Sequence, residues 1–363
     1  MFKIREKITN ITQYIPGRPV KEVERELGIK NSIKLASNEN AWGFSLKAKK
    51  AMEEAIKEAN IYPDGSSFYL RRRIAEFEGV PMDNVIAGNG SNEVLEMIMR
   101  LGLDERTNVV SSEHAFAMYK VMTEACGAEY RSTKAKNYAF DARAIMAGCD
   151  SNTAIIVIDN PNNPTGTYIP FDQMMEIMEF AKKNNILLIS DEAYIEFIRT
   201  KDYKTMKSVF NKYEDNLVIT RTFSKAYGLC GLRVGYGIAN RKIIAMANRI
   251  REAFNVNIVA QHAATAALDD QNFIKDVVRN THEGIDFFVA ELKELGLKSI
   301  PSQCNFILVE VPEDSKVFFE KLLKRGIIVR PMHGYGLPKH IRLSIGTMEQ
   351  NKKVVEIIRE LIK

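Results

Sequence analysis

Lys225 lies in the run Thr222-Phe223-Ser224-Lys225-Ala226-Tyr227-Gly228, directly after an apolar strand pattern and eight residues before Arg233. A lysine at a strand's end can be partly desolvated, which lowers its pKa and leaves a neutral amine able to attack an aldehyde. Three other segments bring polar groups to comparable places. Gly88-Asn89-Gly90-Ser91-Asn92-Glu93 follows a strand pattern and opens a helix, so its free backbone amides could hold a phosphate. Taken alone it fits ordinary turn chemistry equally well, and without a following Gly-Lys-Ser/Thr it is not a Walker loop. In Asp159-Asn160-Pro161-Asn162-Asn163-Pro164-Thr165-Gly166, two prolines fix a sharply turned backbone that could hold an asparagine amide rigidly. Asp191-Glu192-Ala193-Tyr194 puts a carboxylate at a strand's end with a phenol three residues on. Such a carboxylate is often a helix cap, but it can also pair with a buried cation such as a pyridinium nitrogen.

Together these residues match the needs of pyridoxal 5'-phosphate. The aldehyde takes Lys225. The phosphate takes the helix amides at Ser91 and Asn92, the hydroxyls of Thr222 and Ser224, and Arg233. The ring nitrogen takes Asp191, and the ring oxygen takes Asn163 and Tyr194.

Short apolar runs separated by helical patterns must position these groups. They fall at 84–87, 108–110, 153–158, 186–190, 217–220 and 234–238. Runs buried on both faces and separated by helices predict an α/β fold with a mostly parallel, doubly wound sheet, whose ligands lie beyond the carboxyl ends of the strands. The last hundred residues read as a helix over 266–295, strands near 304–311, 326–330 and 341–345, a helix near 315–325, and a closing helix carrying Val354, Val355, Ile358 and Leu361. The expected division is an N-terminal arm (1–30), a large domain (31–265) and a smaller α/β domain (266–363) packed with part of the arm.

The 363 residues suffice for about two domains. Net charge is +5, but the 51 basic residues are interleaved with 46 acidic ones and form no nucleic-acid footprint. Arg71-Arg72-Arg73 reads as the solvated flank of a helix whose apolar face is Leu70, Ile74 and Phe77. Cys126, Cys149, Cys230 and Cys304 are too far apart for a zinc ribbon or disulfide framework, so buried reduced thiols and no metal are expected. No run approaches the ~18 apolar residues of a membrane span. A soluble, cytoplasmic protein with small-molecule substrates is expected. A regulator's effector-binding module is disfavoured because residues 1–40 offer no helix-turn-helix.

Several segments carry a resemblance almost end to end: Tyr14-Ile15-Pro16-Gly17, Lys34 to Asn40, Tyr62-Pro63-Asp64, Gly88 to Glu93, Asn160 to Gly166, Asp191 to Tyr194, Ser224 to Arg233 and Ile341 to Gly346. In these the chain resembles the class II-like aminotransferases of fold type I, and most closely the histidinol-phosphate aminotransferases. The resemblance implies a three-layer, aspartate-aminotransferase-like fold that binds pyridoxal phosphate, with Lys225 as the Schiff-base lysine and Asp191 beneath the ring nitrogen. It implies that Phe116 stacks on the ring, and that Tyr62 reaches the phosphate bound by a partner subunit in a homodimer with shared sites. It assigns the substrate's carboxylate or phosphate to Arg342, with Arg330, Tyr14 and Asn38 alongside. The implied reaction is transamination between L-histidinol phosphate and 2-oxoglutarate, in histidine biosynthesis. An aromatic amino-acid aminotransferase and a phosphothreonine decarboxylase remain alternatives on the same scaffold. Two departures from the family pattern stand out: Ala41-Trp42 follows Asn40 where a proline is usual, and Asn92 stands where an aspartate is common.

Overall fold

The computed structural model describes Phe2 and residues 4–362. Its strands are β1 (Ile33–Lys34), β2 (Val85–Gly88), β3 (Asn108–Ser112), β4 (Glu129–Thr133), β5 (Thr153–Asp159), β6 (Leu187–Asp191), β7 (Leu217–Thr222), β8 (Gly235–Ile238), β9 (Ser299–Ile300), β10 (Phe306–Glu310), β11 (Ile327–Ile328), β12 (Arg330–Pro331) and β13 (His340–Ser344). Seven of them form one sheet in the order β2-β8-β7-β6-β5-β3-β4. Neighbours are parallel except at β8, which runs antiparallel to both β2 and β7.

The parallel centre follows from composition. Ile155 to Ile158, Leu188, Ile189 and Leu217 to Ile219 are buried on both faces of the sheet. Each such side chain contributes roughly 1.5–3 kcal/mol when helices cover both faces. The crossovers are the helices Ser91–Gly102, Ala117–Ala125, Ala142–Ala147 and Phe171–Lys183. β4 escapes the sequence reading because it is not an apolar run. Its Glu129 is exposed and its Tyr130 and Arg131 are half-buried, as suits an edge strand that must not recruit another chain.

A second, four-stranded antiparallel sheet has the order β12-β13-β10-β9. Its own core is formed by Ile307, Val309, Ile341 and Leu343 with Phe288, Phe318, Val354 and Ile358. The helix Gln271–Glu294 serves both cores, with Ile274 and Val277 on the first and Ile285, Phe288 and Leu292 on the second. β1 pairs in parallel with β11, so the segment leading to Leu35 is tied to the second sheet's side.

Two elements, one arginine and the burial of the cysteines differ from expectation. The helix predicted over 266–295 is two helices, Ile258–Leu268 and Gln271–Glu294. Asp270 breaks it, its carboxylate capping the second helix at the Phe273 amide. The single strand expected at 326–330 divides because β11 pairs with β1 whereas β12 pairs with β13. Arg71 is no solvated flank: its guanidinium donates to the carbonyls of Val85 (2.8 Å) and Met82 (3.0 Å). All four cysteines are free, but only Cys304 is fully buried.

Gly235, the first residue of β8, decides how closely the Gly90-Ser91 turn can approach. A Cβ there would lie 2.4 Å from the Ser91 amide nitrogen and 2.9 Å from the Arg221 carbonyl oxygen. Gly235→Ala is therefore expected to push that turn away and destabilise the chain by about 1–3 kcal/mol in urea unfolding. An unchanged midpoint would show that the turn does not rest on β8.

Candidate active site

Strand register places the site. Asp159 and Asp191 are Cα partners at the carboxyl ends of β5 and β6, and Asp191 is in turn the partner of Thr220 on β7. Side chains alternate along a strand, so Asp191 and Thr222 face one side while their neighbours Glu192 and Arg221 face the other. There Arg221 pairs with Glu192 (2.8 Å) and Glu78 (2.7 Å), all three buried. This ion-pair group packs behind the strand ends and leaves the front to Asp191.

In front lies a cavity of about 430 Å³. Tyr14, Asn38, Ser91, Asn92, Phe116, Asn163, Asp191, Tyr194, Thr222, Ser224, Lys225, Arg233, Arg330 and Arg342 all line it. Of the residues named from sequence, only Tyr62 stands elsewhere. It is 78% exposed and stacked on Phe254 at 4.5 Å between ring centroids.

One end of the cavity is built for an anion. The helix Ser91–Gly102 opens there, with Ser91 and Asn92 in its first turn. The Arg233 guanidinium lies so close to Gly90 that a Cβ on that glycine would be 2.5 Å from Nη2. Arg233 also donates from Nη1 to the Ser224 hydroxyl at 3.3 Å, and Thr222 accepts from the Ser224 amide at 3.1 Å.

Midway stands Lys225. Its Nζ donates weakly to the Ser37 carbonyl (3.4 Å) and sits 5.7 Å from the centre of the Tyr194 ring. Among the described residues no carboxylate lies within ion-pair distance of it. Burial, with Arg342 nearby, lowers its amine to about 8, so near that pH a substantial fraction is neutral and nucleophilic. Asp191 is 4% exposed and accepts from the Tyr119 hydroxyl at 2.8 Å through Oδ2, while its Oδ1 has no partner. Burial outweighs that hydrogen bond and pushes its carboxyl up to about 6. A buried carboxylate oxygen left without a donor marks a place for one.

The opposite end is again cationic. Arg342 on β13 donates through Nη1 to the Asn163 side chain and through Nη2 to the Ala36 carbonyl (2.9 Å), lies over the Phe306 ring, and keeps a buried, unpaired Nε. Arg330 lies over Tyr14 and donates to the Ile15 carbonyl (2.7 Å). The Asn38 amide is engaged at both ends, donating to the Tyr194 hydroxyl (2.9 Å) and accepting from Ser344 (3.0 Å).

The sequence reading missed Asp159, Tyr119 and Tyr335. Asp159 lies inside a segment already singled out and Tyr119 three residues beyond Phe116, yet strand register and a side chain's direction of reach are tertiary facts. Tyr335 sits in a glycine-flanked loop with no spacing signal. Trp42 does not line the cavity; it wedges between the two cores.

The family model for aminotransferase class I and II matches residues 30–358. The chain belongs to that family. It is 40% identical over 361 residues to histidinol-phosphate aminotransferase 2 of Carboxydothermus hydrogenoformans, covering 99% of each chain. It is 43% identical over 362 residues to the histidinol-phosphate aminotransferase of Akkermansia muciniphila, covering 98% of each. Among solved structures, that of histidinol-phosphate aminotransferase from Sinorhizobium meliloti in complex with pyridoxal-5'-phosphate superposes with a TM-score of 0.89 at 24% identity, covering 100% of this chain and 98% of that one. An aspartate aminotransferase from Thermus thermophilus with maleate superposes at 0.85 and 21% identity, over 99% of this chain and 100% of that one. Both establish the α/β, fold-type I architecture of this aminotransferase, including its mostly parallel central sheet.

The Asp191 environment has a consequence for stability. An unfolded aspartate titrates near ~3.9, so between there and about 6 the folded chain binds this proton more tightly than the unfolded one. Its contribution is therefore full below pH ~4 and is lost as pH rises through 6. Asp191→Asn removes the buried charge, and in ligand-free protein at pH 8 is expected to raise unfolding stability by roughly 2–3 kcal/mol, with the gap closing toward pH 4. Urea titrations at the two pH values measure it. A variant less stable than wild type at pH 8 contradicts the assignment.

Proposed function

We propose that this aminotransferase uses pyridoxal 5'-phosphate to transfer the amino group of L-histidinol phosphate to 2-oxoglutarate, giving imidazole-acetol phosphate and L-glutamate in histidine biosynthesis. The observation that carries the reading is a cavity with a cationic anion-receiving end at Arg233, a second one at Arg342 and Arg330, and the Lys225 amine between them. The first end suits the cofactor's phosphate, and the second suits the substrate's phosphate or carboxylate. The names borne by full-length relatives at 40% and 43% identity favour histidinol phosphate as donor.

The residues present fit the cofactor. Ser91, Asn92, Thr222, Ser224 and Arg233 would hold its phosphate, Lys225 its aldehyde carbon, and Asn163 and Tyr194 its ring oxygen. The unpartnered Asp191 oxygen would receive the ring nitrogen, and the half-buried face of Phe116 would cover the ring. When bound, the cofactor supplies an aldehyde that takes up the donor's amino group and a cationic ring that draws electrons from the donor carbon.

The chain's own residues do the rest. Lys225 Nζ would take the proton from the carbon bearing the donor amine and hold it for return, a task suited to an amine lowered to about 8. The Asp191 carboxylate, oriented by the Tyr119 hydroxyl, would keep a proton on the ring nitrogen. Asn38 steadies the Tyr194 hydroxyl rather than standing free in the cavity. Arg342 has a planar fork with Nε still unpaired, able to bind the carboxylate of 2-oxoglutarate in one half-reaction and the donor's phosphate in the other. Arg330 and Tyr14 flank the same end.

A homodimer with shared sites is part of the proposal. Tyr62 is exposed together with Ile61, Phe254, Phe68 and Tyr69, an aromatic surface beside which the partner's cavity would lie. Sedimentation showing a monomer at working concentration would remove this part. A cytoplasmic location is part of the same proposal, in keeping with a biosynthetic role.

Rapid-mixing absorbance of the loaded enzyme tests the donor. Histidinol phosphate is expected to convert the cofactor to its amine form faster than phenylalanine does, and Arg342→Gln is expected to raise the KM for 2-oxoglutarate roughly 10- to 100-fold. Conversion with phenylalanine alone points to an aromatic aminotransferase, and release of carbon dioxide from phosphothreonine to a decarboxylase. Either outcome overturns the proposed donor.

A further inference from the structure

Asp159 is 3% exposed, lines the cavity and belongs to no role described so far. It is the Cα partner of Asp191, so the two aspartates stand on neighbouring strands, whose backbones lie about 4.8 Å apart, and on the same face of a parallel sheet. Oδ2 of Asp159 accepts from the Asn163 backbone amide at 2.7 Å, and Oδ1 has no partner. Among the described residues no cation is within ion-pair distance of either carboxyl.

The groups around Asp159 include the Phe116 amide, the phenols of Tyr119, Tyr130, Tyr194 and Tyr335, the Cys304 thiol and the Asp191 carboxyl, with the cations Arg342 and Lys225 lining the same cavity beyond ion-pair distance. Burial pushes each of those phenols and the thiol up, so all are neutral. The one anion within the set is Asp191. Two unpaired carboxylates in a buried row repel, and such a pair shares one proton rather than ionising twice.

We propose that Asp159 is a positioning residue of this site: a neutral carboxylic acid that leaves Asp191 the single anion of the pair and fastens the Asn163 turn to the cavity wall. The turn matters because the Asn163 side chain in turn accepts from Arg342. One carboxyl thus supports both the charge facing the ring nitrogen and the arginine at the substrate end. Burial, opposed by the Asn163 amide and reinforced by Asp191, keeps the Asp159 proton bound well above the ordinary carboxylate range. The proposal rests on the reading of the site given above only for what Asp191 and Arg342 do, not for which of the two carboxyls holds the proton.

Carbon-13 NMR of the full-length chain, labelled at the aspartate carboxyls and without added ligand, tests the protonation independently of that reading. One resonance is expected to stay at the protonated shift through neutral pH and to vanish in Asp159→Asn. In Asp191→Asn the same resonance is expected to titrate at least about one pH unit lower, because its anionic neighbour is gone. This second variant keeps the test decisive if the first does not fold. Only ionised carboxylates at pH 7, or a neutral resonance untouched by either substitution, overturns the proposal.

Kinetics of the loaded enzyme test the positioning. Asp159→Ala is expected to raise the KM for 2-oxoglutarate roughly tenfold through loss of the Asn163 support, and Asp159→Asn, which retains an acceptor, to recover most of it. The acidic limb of the pH profile is expected to fall at the same pH in Asp159→Asn as in wild type. A limb shifted a full unit lower would mean that Asp159 carries charge, and equal damage from Ala and Asn would mean that the acceptor does not matter. A chain that binds no cofactor at all would sink the proposed function while leaving the NMR result standing.

Discussion

Everything at this site depends on the register of three parallel strands. β5, β6 and β7 end together, so Asp159, Asp191 and Thr220 form one row across the sheet. Because side chains alternate, a slip of one residue would turn Asp191 away and bring Glu192 into the cavity. The slip is opposed from the rear, where Arg221 holds Glu192 and Glu78 in buried ion pairs that a slipped strand would break. The charged group behind the sheet and the catalytic face in front are consequences of the same alternation.

The chemistry is then a matter of where charges are left uncompensated. Arg221 is matched by two buried carboxylates, whereas Lys225 and Asp191 on the front have no ion-pair partner among the described residues. Their burial lowers the amine to about 8 and raises the acid to about 6, so each holds its charge less firmly than usual until a ligand supplies the missing partners. Such a site costs stability in the empty protein and is held in place by the rest of the fold. Cations at both ends of the cavity complete the pattern, giving a ligand with two anionic termini a defined direction.

Much of this was legible in the sequence because it is local. Apolar runs bounded by turn signals located six of the seven strands in the large sheet, and the polar motifs fell at the ends where doubly wound sheets bind ligands. The edge strand β4 was invisible because its half-solvated Glu129-Tyr130-Arg131 has neither an apolar run nor a clean alternation. Arg71 was read as solvated because nothing in a helical pattern reveals carbonyls left by a neighbouring strand. Asp159 belongs to the Asp159 to Gly166 segment, yet its significance comes from lying opposite Asp191, a fact of register between residues 32 positions apart. Tyr335 and Tyr119 reach the site through loop and helix geometry that spacing does not encode.

The central claim is that the Lys225 amine is the covalent anchor of an aldehyde cofactor. Incubating the protein with pyridoxal 5'-phosphate, reducing with borohydride and mapping the label by peptide mass spectrometry tests it most directly. One phosphopyridoxyl group per chain is expected, on the peptide that carries Lys225. A label spread over surface lysines, or fixed on another lysine while Lys225 remains unmodified, would contradict it.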